Sequence, residues 1–176
     1  MTGPRVLRLA ATALALLLLA GGSAQAGPVD EARQHLRGSA QRPADLPRAF
    51  RLFSAAAKGG DPQAAYYLGL MYKNGMAVAR DTRSAAQWLK FAAERGVPAA
   101  MFVLANLHLS GDGVARDELA ARRWIEKAAD LDYPEAVMAM AIGLRDGSMG
   151  FERNEALSDA HMKMAAHALQ QRSPGM

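Results

Sequence analysis

Few side chains in this sequence have types and spacing that could do chemistry. His161, Met164 and His167 stand in the segment HMKMAAH, and imidazole with thioether is a soft ligand set that suits copper. On a helix, however, each three-residue step turns by about 300°, so the three side chains spread around the cylinder; histidines four apart would share a face. A second candidate is SGDGVARDELA, residues 110–120, which offers Gly111, Asp112, Gly113 and Asp117 as an ion or phosphate loop. It lacks the several alternating oxygen ligands and the closing glutamate of a calcium loop. No strand precedes it and no Gly-Lys-Ser/Thr follows, so it is not a phosphate loop either. The same loop occurs 36 residues earlier as NGMAVARDTRS, with Met76 for Asp112 and Ala77 for Gly113. Whatever it does twice, it does without that carboxylate, and a bend between two helices is the simpler reading.

Other chemistries have no footing in the sequence. No serine, histidine and acid stand in a recognisable elbow or triad context. Glycan hydrolysis needs two carboxylates facing one cleft, whereas Glu94, Glu126 and Glu135 read as solvated face charges. The cysteine count is zero, which removes thiol redox chemistry, a cysteine nucleophile, Cys-ligated zinc and disulfides. No catalytic residue, cofactor or metal ligand is therefore expected.

The N-terminal residues read as a targeting segment. Arg5 and Arg8 precede an apolar run from Leu9 to Ala20, followed by Gly21, Gly22 and the small-residue site Ala24-Gln25-Ala26. That is the pattern of a secretory signal peptide, residues 1–26, cut after Ala26. The run is short of the roughly 20 residues that cross a bilayer, so no stable span is expected after cleavage. No cysteine is present to carry a lipid, and a periplasmic or secreted location is expected. Without Arg5 and Arg8, the 21 basic residues become 19 against 17 acidic ones, a net of +2 with the charges interspersed. That is no footprint for nucleic acid.

The elements that would position these residues come from an internal repeat. Shifted by 36, the sequence aligns without a gap in three blocks, 61–96, 97–132 and 133–168, with a degenerate block at 27–60 that acts as an N-terminal cap. Pro62, Pro98 and Pro134 suit a first helical turn, where the missing N–H is not needed. A stripe of Ala64, Leu68, Gly69 and Tyr72 recurs as Ala100, Leu104, Ala105 and His108, then as Ala136, Met140, Ala141 and Leu144. The small residue at 69, 105 and 141 lets a second helix approach, and Gly75, Gly111 and Gly147 end the first.

Asp81 and Asp117 cap the second helix, whose buried stripe reads Ala85, Trp88, Leu89, Ala92, Ala93, then Ala121, Trp124, Ile125, Ala128, Ala129. The N-terminal block offers Ala49, Leu52, Phe53, Ala56 and Ala57 at those places. One such helix pair cannot bury its apolar face alone, so a fixed period implies stacked pairs with a continuous core. The fold class is all-α, an α/α solenoid of antiparallel helix pairs. On this register Met164 aligns with Ala92 and Ala128 and fills a core gap, while His108, in a tyrosine's place, is a partly buried structural residue. Residues 169–176, ending QQRSPGM, are expected to be a flexible tail.

The pattern A-x-Y-x-L-G-x-x-Y, G-x-x-V-x-x-D, A-x-x-W-x-x-x-A-A-x-x-G resembles the Sel-1-like repeat, a relative of the tetratricopeptide repeat. Ala64, Tyr66, Leu68, Gly69, Tyr72, Gly75, Val78, Asp81, Ala85, Trp88, Ala92, Ala93 and Gly96 meet it. The second block keeps most of it, with Phe102, Ala105, His108 and Asp132 at the variable places. The third departs, with Gly150 in the valine place, Arg153 in the aspartate place, Leu157 in the alanine place and Ala160 in the tryptophan place, as a C-terminal cap could. The resemblance runs from about Asp45 to Ala168. It implies a right-handed superhelix that serves as a protein-binding adaptor, in bacteria often within envelope and secretion assemblies, with no catalytic residues.

By analogy with tetratricopeptide repeats, the concave face is lined mainly by the first helix of each pair and presents Gln63, Tyr66, Leu70 and Lys73, then Phe102 and Asn106, then Glu135, Met138, Ile142 and Arg145. Aromatic and methionine side chains beside single charges suit a protein or peptide partner in the cell envelope. Tyr66 and Phe102 could equally be buried between helices. The alternative is an envelope hydrolase acting on cell-wall or β-lactam substrates, as proposed for some members of the family, although zero cysteines exclude the disulfide-rich type. Self-association through exposed end repeats is a further possibility.

Overall fold

The computed structural model describes the backbone of residues 27–172 and the side chains of residues 27–166. Eight helices follow one another: α1 Pro28–Arg37, α2 Leu46–Lys58, α3 Pro62–Asn74, α4 Thr82–Glu94, α5 Pro98–Ser110, α6 Glu118–Ala129, α7 Pro134–Asp146 and α8 Glu155–Arg172. Among the described residues there is no strand, only an isolated bridge between Ser39 and Arg42. The substantial helix contacts all join consecutive helices: α1 with α2, α3 with α4, α5 with α6 and α7 with α8 as hairpins, and α2 with α3, α4 with α5 and α6 with α7 between them. This is the stacked α/α solenoid that the period implies.

Local chemistry sets each boundary. Proline occupies the first turn of α3, α5 and α7. Gly75, Gly111 and Gly147 close the same three helices in the left-handed conformation, each N–H donating to a carbonyl one turn back. The Asp81 carboxylate accepts from the N–H groups of Arg83 and Ser84, and Asp117 accepts from Ala120. The Ser84 hydroxyl and N–H, followed by Arg83, hold the Asp81 carboxyl below the usual carboxylate range. A lowered folded value means that this capping stability is present above the unfolded value near 4 and is lost as pH falls through the folded one. Asp81→Asn keeps a capping oxygen but cannot titrate. We therefore expect its melting temperature to match wild type above about pH 5 and to fall less steeply than wild type below about pH 4; parallel profiles would refute the assignment.

The core repeats with the same period. Phe53, Leu89 and Ile125, one large residue per second helix, are each fully buried, flanked by Ala49, Ala85 and Ala121. Gly69 shows why the first helix needs a small residue here: a Cβ would stand 2.8 Å from Leu89 Cγ and 3.2 Å from the Ala85 carbonyl. The stripe is wider than the periodicity implied, since Ala65, Met71 and Leu107 are also buried. Tyr72, Trp88 and Trp124 are only half-buried, packing against its edge.

The third helix pair corrects the ungapped register. Its loop holds one extra residue, located by three features. Asp81 N–H and Asp117 N–H donate to Tyr72 O and His108 O, nine residues back, whereas Asn154 N–H donates to Leu144 O, ten back. Gly113 presses on Thr82, and Gly150, 37 residues later, presses on Glu118. The cap is Asn154, whose side chain accepts from Leu157 N–H, in place of Arg153.

With that shift, Phe151 takes the valine place, Ser158 the alanine place and Ala165 the place of Ala92 and Ala128. Ser158 and Ala165 are buried accordingly, and Met164 is 54% exposed, so it fills no core gap. Leu157 is exposed as well. Phe151 is larger than the valines before it, and the helix it meets has shrunk to match. Gly143 stands where Met71 and Leu107 stand, and a Cβ there would lie 2.5 Å from the Phe151 ring. The buried Ser158 hydroxyl donates to Ala141 O at 2.7 Å. α8 runs on to Arg172, so the expected tail begins as helix; residues 1–26, expected to be a signal segment, and residues 173–176 lie outside the described residues.

Candidate functional site

Helical spacing assembles a cleft on the face formed by α3, α5 and α7. On α7, Glu135, Met138 and Ile142 are separated by three and four residues, which places them on one side of the helix. Phe102 of α5 faces them, and Pro134 and Ala139 complete an apolar cleft of 360 Å³ with Glu135 as its lone carboxylate. Both aromatic residues whose placement the sequence left open lie at the boundary between core and surface. Phe102 and Tyr66 are half-buried, one side packed on the core. Phe102 meets Tyr133 at 5.8 Å between ring centroids, and Tyr66 meets Tyr67 at 5.2 Å.

Burial pushes the Tyr66 phenol above its ordinary value, with Tyr133, Tyr67 and Glu135 adding to the shift through their charges. The structure thus brings Phe102, Glu135, Met138 and Ile142 into one cleft, which Tyr66 does not line. Gln63, Leu70, Lys73, Asn106 and Arg145 do not line it. Gln63, Asn106 and Arg145 are exposed, Leu70 and Lys73 half-buried. Arg145 Nε donates to Asp146 at 3.0 Å.

Pro134 and Ala139 were not anticipated as lining. The proline pattern marks only a helix start, and the signal for Ala139 is its position four residues after Glu135.

The residues with reactive potential do not converge. Asp112 and Asp117 serve structure: Asp112 pairs with Arg80 of the preceding loop at 2.5 Å, and Asp117 caps α6. His108 is half-buried, its Nδ1 3.3 Å from Ala115 O across the loop. Among the described residues no three His, Cys, Asp or Glu side chains are grouped to hold a metal ion. His161 stands on α8, while the His167 side chain lies outside the described residues. No cleft described here pairs two carboxylates: the apolar one has Glu135, and two at the N-terminal pair have Asp30 and Asp45. Nor is any helix of the described residues long and apolar enough to cross a membrane.

The model of the Sel1 repeat matches residues 34–61, 62–97 and 98–133. The chain belongs to the Sel1 repeat family. Residues 134–172, beyond those segments, add the α7–α8 pair to the Sel1 solenoid.

Solved structures agree. One is c5321, described as a protective antigen present in uropathogenic Escherichia coli strains displaying an SLR fold, at 30% identity and a TM-score of 0.73 over 80% of this chain and 30% of that one. Another is a Sel1 repeat protein from Oxalobacter formigenes, at 30% identity and 0.70 over 80% of this chain and 40% of that one. The chain thus spans well under half the length of either. Helicobacter pylori cysteine rich protein B is similar at 25% identity and 0.54, over 62% of this chain and 86% of that one. No curated protein matches the chain. This Sel1 solenoid has no cysteine, so noncovalent contacts hold its repeats without disulfides. The Sel1 repeat is generally a protein-interaction scaffold without catalysis of its own.

Proposed function

We propose that this Sel1 solenoid is an exported adaptor that holds an apolar segment of a protein partner on its first-helix face and performs no chemistry. The observation that carries the reading is the cleft of Phe102, Pro134, Met138, Ala139 and Ile142, open to solvent and bounded by Glu135. Apolar side chains left uncovered beside one charge are what a docking surface needs: burial for affinity, a charge for register. Leu70, half-buried on α3, extends the same face toward the N-terminus. The leader pattern of residues 1–26 supports an envelope or secreted location.

The test is affinity capture by residues 27–176 from the envelope fraction of the host, followed by a measured affinity for the protein retained. A double variant, Leu70→Asp and Ile142→Asp, places charge on a surface that the partner must desolvate, and should weaken binding at least about tenfold with helix content unchanged by circular dichroism. Equal retention by both forms would exclude this face. The hydrolase alternative is tested by incubation with peptidoglycan or a chromogenic β-lactam; no cleft described here favours it.

A further inference from the structure

The opposite face, built from second helices, holds another cleft, of 530 Å³, between α4 and α6. Its floor is apolar, made of Leu104 of α5, Val114 of the loop and the half-buried Trp124 of α6. Its walls are cationic: Arg83 and Lys90 on α4, Arg123 and Lys127 on α6, with no aspartate or glutamate in the lining. The whole chain carries a net charge of only +4, so four cations around one cleft are a local concentration that the bulk composition hides.

Little neutralises these charges. Lys90 Nζ is 3.8 Å from the exposed Glu94, and the Lys127 ammonium lies 4.7 Å from the centre of the Trp124 ring. Arg123 makes no ion pair among the described residues, and the Asp81 carboxylate that caps α4 offsets Arg83 only in part. Like charges gathered over a low-dielectric floor raise the local potential and favour an anionic occupant.

We propose that this cleft docks an acidic, extended segment of a partner protein, with one apolar side chain on Val114 and Trp124 and carboxylates reaching both cationic walls. Its dimensions favour a chain over a lone anion. Arg83 and Lys90 are seven residues apart on α4, about 10 Å along the axis, the length of about three residues of extended chain. A single phosphate or carboxylate would meet one wall and leave the apolar floor uncovered. The site is separate from the first-helix cleft and does not depend on it.

The test uses residues 27–176 carrying Trp88→Phe, so that Trp124 is the remaining tryptophan and reports on its own cleft by fluorescence. The probe is an amidated peptide, Asp-Glu-Leu-Asp-Glu, titrated at low ionic strength. A saturable change is expected; it should be weakened about tenfold or more by Arg83→Gln with Arg123→Gln, or independently by Lys90→Ala with Lys127→Ala, and suppressed at about 0.5 M salt. Ile142→Asp should leave it unchanged, which separates this site from the adaptor face. The proposal is overturned if the peptide gives no saturable change or if Asn-Gln-Leu-Asn-Gln binds equally. It is also overturned if neither pair of charge-removing variants weakens binding, or if inorganic phosphate at the same concentration reproduces the signal and reduces the site to a simple anion site.

Discussion

Gly113→Ala is expected to lower the melting temperature by about 6–12 °C, the effect of about 3 kcal/mol in a chain of this size. Two costs combine. Gly113 holds φ at +78°, where an L side chain is strained, and a Cβ there would stand 2.2 Å from the Thr82 carbonyl oxygen. That oxygen is backbone at the start of α4, so relief requires shifting the loop or the helix. Gly75→Ala separates the two costs: its φ is +68°, but the nearest atom to an added Cβ is 3.4 Å away. It should cost only about 1 kcal/mol, or 2–4 °C. Ala77 already occupies the matching place in the first loop with φ 65°, so the backbone conformation alone is tolerated. Equal melting temperatures for the two variants, read by calorimetry, would show that the Thr82 contact gives way freely and that only the conformation matters.

The second large effect is at Phe53. Phe53→Ala should remove about 3–5 kcal/mol in urea unfolding. The side chain is fully buried and its ring stacks on Tyr67 with 4.8 Å between centroids. Tyr67 is in turn where α1 is fastened: its hydroxyl accepts from Arg33 Nε at 3.0 Å, and the guanidinium lies 5.1 Å from the ring centre. Emptying the Phe53 site therefore loosens α1 and α2 from α3 together. Faster amide exchange confined to residues 28–58 should accompany the loss of stability; a cost below about 1 kcal/mol would mean that the neighbouring side chains collapse into the space.

The sequence made the first two full repeats legible almost residue by residue, because proline, the left-handed glycine and the aspartate cap each do a local job that only a few residue types can do. It misled where one inserted residue changed the register. Gly147 still ends α7 in step, but the added residue before Gly150 moves the cap to Asn154 and the buried alanine place to Ala165. An ungapped alignment therefore reads a drifting repeat where the structure has a shifted one, and Phe151 opposite Gly143 is the pair of clues that could have revealed it.

Contacts between loops were hidden for another reason. Asp112 pairs with Arg80 of the loop before it, so the interaction belongs to the step between repeats, and with Met76 at the matching place of the first loop it leaves no periodic trace. The apolar cleft was partly readable, since Glu135, Met138 and Ile142 follow helical spacing. The cationic one was not, because its charges sit on two helices 36 residues apart and average away along the chain.

The chain of neighbour contacts from α1 to α8 means that no segment is threaded through another, so each end can peel away and reseat without opening the middle. At the C-terminal end the detachable piece is α8, held to α7 in part by the Ser158 hydroxyl on Ala141 O. Met138 and Ile142 belong to α7, one layer in from that edge, so a ligand gripping them also braces the last hairpin. Under the proposed adaptor function, occupancy of that cleft would oppose opening of the α7–α8 pair, so that binding and the order of this hairpin are coupled.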